Sequence, residues 1–271
     1  MFGFNNYNKS GRGVPKSAPR KKAFFRFFEL FGRKFFLLLK LNLIYFLFTL
    51  PIITFGPSTA ALCAVTRSLV LERPVFMFSD FLDAFKENFK KGLILGVADI
   101  ILAGVFIFTI TYYDLSVDMG SDGTDMIMLI MAICAAMLLL MAHFYIYLQL
   151  AATNLKLSGI LKNSILMVFL GLKNNIVTLL VLIGVSALFF KFFGIAVFLL
   201  PVIPAAQICF LCGFSCYPVI QKYVINPYYE QNGLENPETL KKEQPSMFID
   251  MGGQEQEINM TKFKSKGKII K

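Results

Sequence analysis

The side chains in this sequence that could do chemistry are few, and most of them stand alone. Residues 92–112 carry a single charge, Asp99. A carboxylate inside a membrane-spanning segment costs about 2.5–3.5 kcal/mol on insertion scales, so it must face protein or water rather than lipid. There it can bind a cation, relay protons, pair with Arg67 on the preceding apolar segment, or simply join two helices by a polar contact. His143 is the sole histidine. With Tyr145, Tyr147 and Gln149 close by in sequence it can line a polar cavity, but a lone imidazole with no second ligand in register makes a poor metal site. Cys209, Cys212 and Cys216 recur at i, i+3 and i+7, on one helix face. Zinc would want four ligands and wetter surroundings, so these thiols are expected to pack as small hydrophobes. No pair of acids, metal cluster or nucleophile–base set falls within the apolar runs. The expectation is a protein with no catalytic residue, no metal and no cofactor, and hence not an enzyme.

The composition explains that poverty. Of 271 residues, 56% are hydrophobic and 16% charged, and the mean hydropathy is +0.63. Soluble domains carry roughly 25% charged residues. These values exclude a disordered chain and a soluble enzyme, and they predict an all-α, polytopic membrane bundle. The net charge of +10 invites a nucleic-acid reading. Its distribution argues against one: Lys and Arg crowd the two ends and the short connections, the pattern that orients membrane proteins. Membrane lipids are the expected partner, and nucleic acid is not. The five cysteines are an odd number set in apolar runs, which speaks against a secreted disulfide framework. Trp is absent, so the interfacial belt falls to tyrosines such as Tyr112, Tyr113, Tyr217, Tyr223, Tyr228 and Tyr229.

The elements follow from periodicity. Residues 1–19 read as a flexible arm. Over 20–34, Phe24, Phe27, Phe28 and Phe31 mark one helix face, with Lys22, Arg26, Glu29 and Arg33 largely opposite. Two readings stand for this stretch: a basic amphipathic helix on an anionic leaflet, or an extension of the first span. A mitochondrial presequence is a weaker third. Residues 35–55 form the first span, and Pro51, Gly56 and Pro57 shape a hairpin after it. Broken helices at such turns can expose backbone groups to ions or substrate, although a plain outer-surface turn is the simpler reading. Residues 57–71 form a short apolar helix of only about 22 Å, less than a hydrocarbon core of about 30 Å.

Residues 78–91 read as a separate helix along the membrane surface. Phe78, Phe81, Leu82, Phe85 and Phe89 make its apolar stripe, and Ser79 suits its N-cap. Spans follow at 92–112, 126–150, 174–190 and 194–217. A loop is expected at 113–125, a mixed segment at 151–173, and a tight turn at Lys191–Phe193. Gly92 and Gly96 have the small-xxx-small spacing that lets helices approach closely. From Asn226 onward the chain, with Pro227, Pro237, Pro245 and a Lys-rich end, reads as mostly disordered. That end can touch anionic lipid or remain solvated.

Charge then sets orientation. Residues 9–34 hold nine Lys/Arg against one acid, which predicts a cytoplasmic N-terminus. The Lys90–Lys91 pair is expected on the same side, and the loop 113–125, without Lys or Arg, outside. The chain can satisfy all three only if 57–71 returns it across the membrane, thinned or shielded by neighbours. That gives about six crossings, one of them short, with both termini cytoplasmic in a multi-pass cell-membrane protein. Five spans with a re-entrant 57–71 is the competing topology. A cleaved signal peptide is not expected, and the large Leu62 directly before Cys63 makes a poor lipoprotein cleavage site.

The run from Lys40 to Val70, with Pro51-Ile52-Ile53-Thr54-Phe55-Gly56-Pro57 at its centre, and the following Phe78 to Lys90 with Phe85-Lys86-Glu87-Asn88-Phe89-Lys90, resemble the YesL-like integral membrane family of Gram-positive bacteria. Tyr147 to Ala151 and Leu161 to Ser164 are similar to that family's second half. The resemblance extends over roughly residues 24–220. It divides the chain into a basic arm (1–23), a transmembrane domain (24–220) and a polar cytoplasmic tail (221–271). The family is one of unknown function and has no catalytic residues to carry over. It implies a six-span-like protein, linked by gene context to carbohydrate ABC transporters and to sensor kinases with response regulators. An accessory role beside ABC permease subunits or a sensor histidine kinase is therefore expected. The residues themselves leave an alternative: a small-solute or ion transporter or channel with Asp99 and His143 lining the path.

Overall fold

The computed structural model describes residues 22–120, 123–194, 204–234 and 236–238. The outer part of the basic arm, the first part of the last expected span (195–203) and the Lys-rich tail end lie outside them. Every regular element among the described residues is helical. In chain order these are α1 (Ala23–Thr49), a 3-10 turn (Ile52–Thr54), α2 (Phe55–Val70), α3 (Met77–Asp118), α4 (Gly123–Ala152), α5 (Leu157–Leu170), α6 (Leu172–Lys191), α7 (Pro204–Ile220), a π turn (Gln221–Ile225) and α8 (Asn226–Gln231). Among the described residues, four stretches are long and apolar enough to cross a membrane: α3, α4, α6 and the run Pro204–Gln231. The protein is thus an all-α membrane protein.

By contacts the chain divides into two units, one ending at Phe35 and one beginning at Phe36. The first is a ladder of rings along the opening turns of α1. Phe24 meets Phe28 at 4.8 Å, Phe27 stacks on Phe31 at 5.7 Å, and Phe31 meets Phe35 at 5.7 Å. These are the i, i+4 neighbours that a helix brings together. Phe24 and Phe28 remain exposed.

In the second unit α2 is the central helix. Ala60, Ala61, Leu62, Val65 and Leu69 are all but inaccessible, and α2 packs on α3, α7 and α4. Lipid is as apolar as these side chains, so close van der Waals packing and hydrogen bonds must hold the helices together. Glycines permit it. A Cβ on Gly96 would lie 2.7 Å from the backbone of Gly56, and one on Gly92 would lie 2.9 Å from Pro57. A Cβ on Gly56 would collide with the Gly92 carbonyl. The small-residue spacing in α3 is therefore a helix–helix contact, and its partner is the hairpin glycine.

That contact also explains why the expected surface helix 78–91 and span 92–112 are one helix. Gly92 lowers helix propensity, but here the close approach of α2 holds it in helical form. α3 extends over 42 residues, about 63 Å, and its first turns project beyond a bilayer core. The loop expected at 113–125 shrinks in the same way. Beyond Gly104 the sequence holds no glycine or proline until Gly120, which turns the chain with φ +79°. Ser116 then donates to Asp125 at 2.6 Å across the turn.

The last apolar run also differs from expectation. Pro218 lies within α7 and a π turn follows it, as when a missing N–H disturbs the helical ladder. The helix nonetheless continues through Gln231. Pro227 stands in the first turn of α8, where its fixed φ favours helix. The segment from Asn226 therefore begins as ordered helix, not as a disordered tail.

Candidate functional site

Asp99 lies one turn beyond Gly96 on α3, so the glycine contact sets where it stands against the α1–α2 hairpin. The Tyr147 hydroxyl donates to Asp99 Oδ2 at 2.6 Å. His143 Nδ1 stands 3.6 Å from Asp99 Oδ1, an ion-pair distance rather than a hydrogen bond. The His143 and Tyr147 rings meet edge-on at 5.1 Å. Both come from α4 at i and i+4, one above the other on a single face. The Asp99 side chain is 18% exposed and that of His143 32%.

A cavity of about 640 Å³ opens beside this triad. Asp99, His143 and Thr49 are its polar lining residues, and its walls include Phe55, Phe106 and Leu139. A volume of this order falls within the range of ligand pockets, which are mostly apolar with a few placed polar groups. Its chemistry suits an apolar body carrying one cationic or hydrogen-bonding end. Hydroxyl-rich sugars are a poor match for walls of this kind.

The sequence grouping around His143 divides into two faces of α4. Tyr147 turns with His143 to Asp99. Tyr145 and Gln149 turn the other way: Tyr145 donates to Asn175 Oδ1 at 2.6 Å, and Gln149 to Ser164 Oγ at 3.1 Å. Those two join α4 to α6 and α5 and do not line the cavity. Helical period alone separates the pairs 143/147 and 145/149.

Arg67 is not the partner of Asp99. It is 2% exposed, near the C-terminal end of α2, where its guanidinium sits 5.8 Å over the Tyr217 ring and donates to the Ala151 carbonyl at 3.4 Å. It belongs to a second polar group that sequence reading missed. The Tyr217 hydroxyl donates to Glu238 Oε2 at 2.6 Å and Gln221 Nε2 to the same oxygen at 2.9 Å. Arg73 pairs with Glu238 Oε1 at 3.1 Å. Tyr217, expected in an interfacial belt, is instead buried. A signal for this cluster was available in Gln221 one turn after Tyr217; the arrival of Glu238 from the tail had none.

The remaining candidates are structural. Gly56 makes the close contact with α3, and the turn closes on itself as Thr54 donates to the Pro51 and Phe48 carbonyls at 2.6 and 2.5 Å. Pro57 lies in the first turn of α2 and is buried. Cys209, Cys212 and Cys216 are buried, with Cys209 Sγ 3.1 Å from Cys63 Sγ and from Thr66 Oγ1.

Residues 38–115 match the family described as "Protein of unknown function, DUF624". The match takes in the hairpin, both contact glycines of α3 and Asp99, and ends short of His143 and Tyr147. No curated protein and no solved structure matches the chain.

Proposed function

We propose that this chain is a non-catalytic integral membrane protein of solute transport, whose Asp99–His143 pocket receives a small amphiphile with one cationic end. The supporting observation is the lone membrane carboxylate set in the wall of an apolar cavity of about 640 Å³. Such residues typically mark substrate or ion pathways. In this reading α1 and α2 join the four long apolar stretches as crossings, giving six, with both termini cytoplasmic in the cell membrane. Every Lys and Arg except Lys191 then falls on the inner side, as the positive-inside rule requires. Binding of a fluorescent alkylamine to the protein in lipid nanodiscs tests the pocket, with empty nanodiscs as control. Saturable binding that weakens at least tenfold in Asp99→Asn supports the reading; equal binding by the two proteins ends it.

One observation favours a second reading, the YesL-like role of an accessory to a carbohydrate ABC transporter or its sensory system. Phe76, Phe78 and Phe89 are exposed on the same part of the chain as Asp83, Lys86, Glu87 and Lys90. Aromatic side chains set among charges suit docking to another protein. Under this reading the sugar passes through partner permease subunits, consistent with apolar pocket walls here. Purification from native membranes tests it: permease subunits or a sensor kinase should accompany the wild type and be lost from a Phe78→Ser/Phe89→Ser variant.

A further inference from the structure

The second polar group lies away from the cavity. Its donors come from separate elements: Arg73 just after α2, Tyr217 on α7 and Gln221 in the π turn, with the Arg67 guanidinium of α2 over the Tyr217 ring. They converge around one carboxylate, Glu238, whose side chain has no exposed surface. The backbone is strained to make this possible. Glu72, between α2 and Arg73, has φ +55°, a left-handed conformation that disfavours side chains other than glycine.

Two features mark this as more than a chain-end contact. Arg67 is buried, and its Nε has no hydrogen-bond partner. A buried donor left in that state costs stability unless something fills it. The hold on the occupant is also local and polar. Asn236 donates to Asn226 Oδ1 at 2.7 Å and accepts from the Glu238 amide at 2.9 Å, while Gln231 to Leu234 are exposed. Glu238 is thus held by its own carboxylate and an Asn bridge. A guanidinium, a phenol and an amide directed at one point, with a second guanidinium over the phenol ring, form a donor set that recognises oxyanions.

We propose that Arg73, Tyr217 and Gln221, with Arg67 behind them over the Tyr217 ring, form an oxyanion-binding site in which Glu238 of the same chain stands in for a phosphate group. A phosphate ligand and the tail then exclude one another, so binding releases the segment that follows α8. The phosphate can belong to a soluble solute or to a lipid headgroup.

The test uses the full chain in phosphatidylcholine nanodiscs, titrated with inorganic phosphate by calorimetry. Glu238→Gln removes the competing charge while keeping the side-chain shape. It should bind phosphate at least tenfold more tightly than wild type, and Glu238→Gln/Arg73→Gln should lose that gain. Arg73 is partly exposed, so its replacement should leave the fold intact, which circular dichroism checks. Adding phosphatidic acid to the nanodiscs separates the sources. If it abolishes the response of Glu238→Gln to free phosphate, the site takes a lipid headgroup; if the response persists, it takes a soluble phosphate. Equal phosphate affinity in wild type and Glu238→Gln, or undiminished binding in the double variant, overturns the proposal.

Discussion

The two polar constellations answer the same problem, polar groups inside a membrane protein, in opposite ways. Around Glu238 the donors close on a carboxylate that the chain itself supplies, and no side-chain surface of it remains open. Around Asp99 one hydroxyl donates, an imidazole stands at 3.6 Å, and the rest of the neighbourhood is a cavity. A closed group should contribute mainly to stability, and an open one mainly to binding. The contrast separates a polar group that the chain itself already fills from one left open beside a cavity.

The largest expected effect lies beneath both. Gly56→Ala places a methyl against the Gly92 carbonyl, and overpacking of this kind typically costs 1–3 kcal/mol. We expect about 3 kcal/mol, read as a lowered thermal midpoint in mild detergent. Gly104→Ala, which meets nothing within 4 Å, should leave that midpoint unchanged or slightly raised. If both behave alike, the glycine contact does not hold α2 on α3, and Asp99 loses its positioning element.

Next comes the closed group. Glu238→Ala leaves Arg73 and the Tyr217 hydroxyl without their shared partner. Hydrogen bonds to charged groups contribute about 1.5–3 kcal/mol, so a loss near 2 kcal/mol is expected in the same melts. In the open group, Tyr147→Phe removes the hydroxyl that donates to Asp99, whose carboxylate still borders the cavity; it should cost about 1 kcal/mol, less than Glu238→Ala, while weakening amine binding severalfold. A Tyr147→Phe protein as destabilised as Glu238→Ala would erase the contrast. The smallest effect is a gain. Glu72→Gly relieves a left-handed residue worth about 1 kcal/mol and should raise the midpoint by a degree or two, provided Arg73 keeps its place.

Much of the fold was readable because membrane helices announce themselves by run length and charge. The hairpin, the short helix α2 and the Gly92/Gly96 contact could all be read from the sequence. Boundaries failed where a local signal has two meanings. Lys90-Lys91-Gly92 reads as a helix end, yet α2 packs against Gly92 and the helix continues. Pro227 reads as a breaker, yet it begins a helix. Asp99 and His143 could be singled out because a charge or an imidazole is rare in such surroundings. The i, i+4 period puts His143 and Tyr147 on one face of α4; that this face meets Asp99 depends on how α3 and α4 pack. Of the several readings of Asp99, the pairing with Arg67 fails because Arg67 sits over the Tyr217 ring, in a neighbourhood assembled from residues far apart in sequence. No pattern within α2 points to Tyr217 or Glu238.

The cavity beside Asp99 is the proposed binding site for a solute. Photolabelling with a diazirine-bearing alkylamine, followed by peptide mass spectrometry, tests it most directly. Label is expected on α3 around Ala103 to Ile107 and on α4 around Leu139 to His143, reduced in Asp99→Asn. Label spread evenly over lipid-exposed positions such as Leu180 and Leu188 of α6, and unchanged by Asp99→Asn, would contradict it.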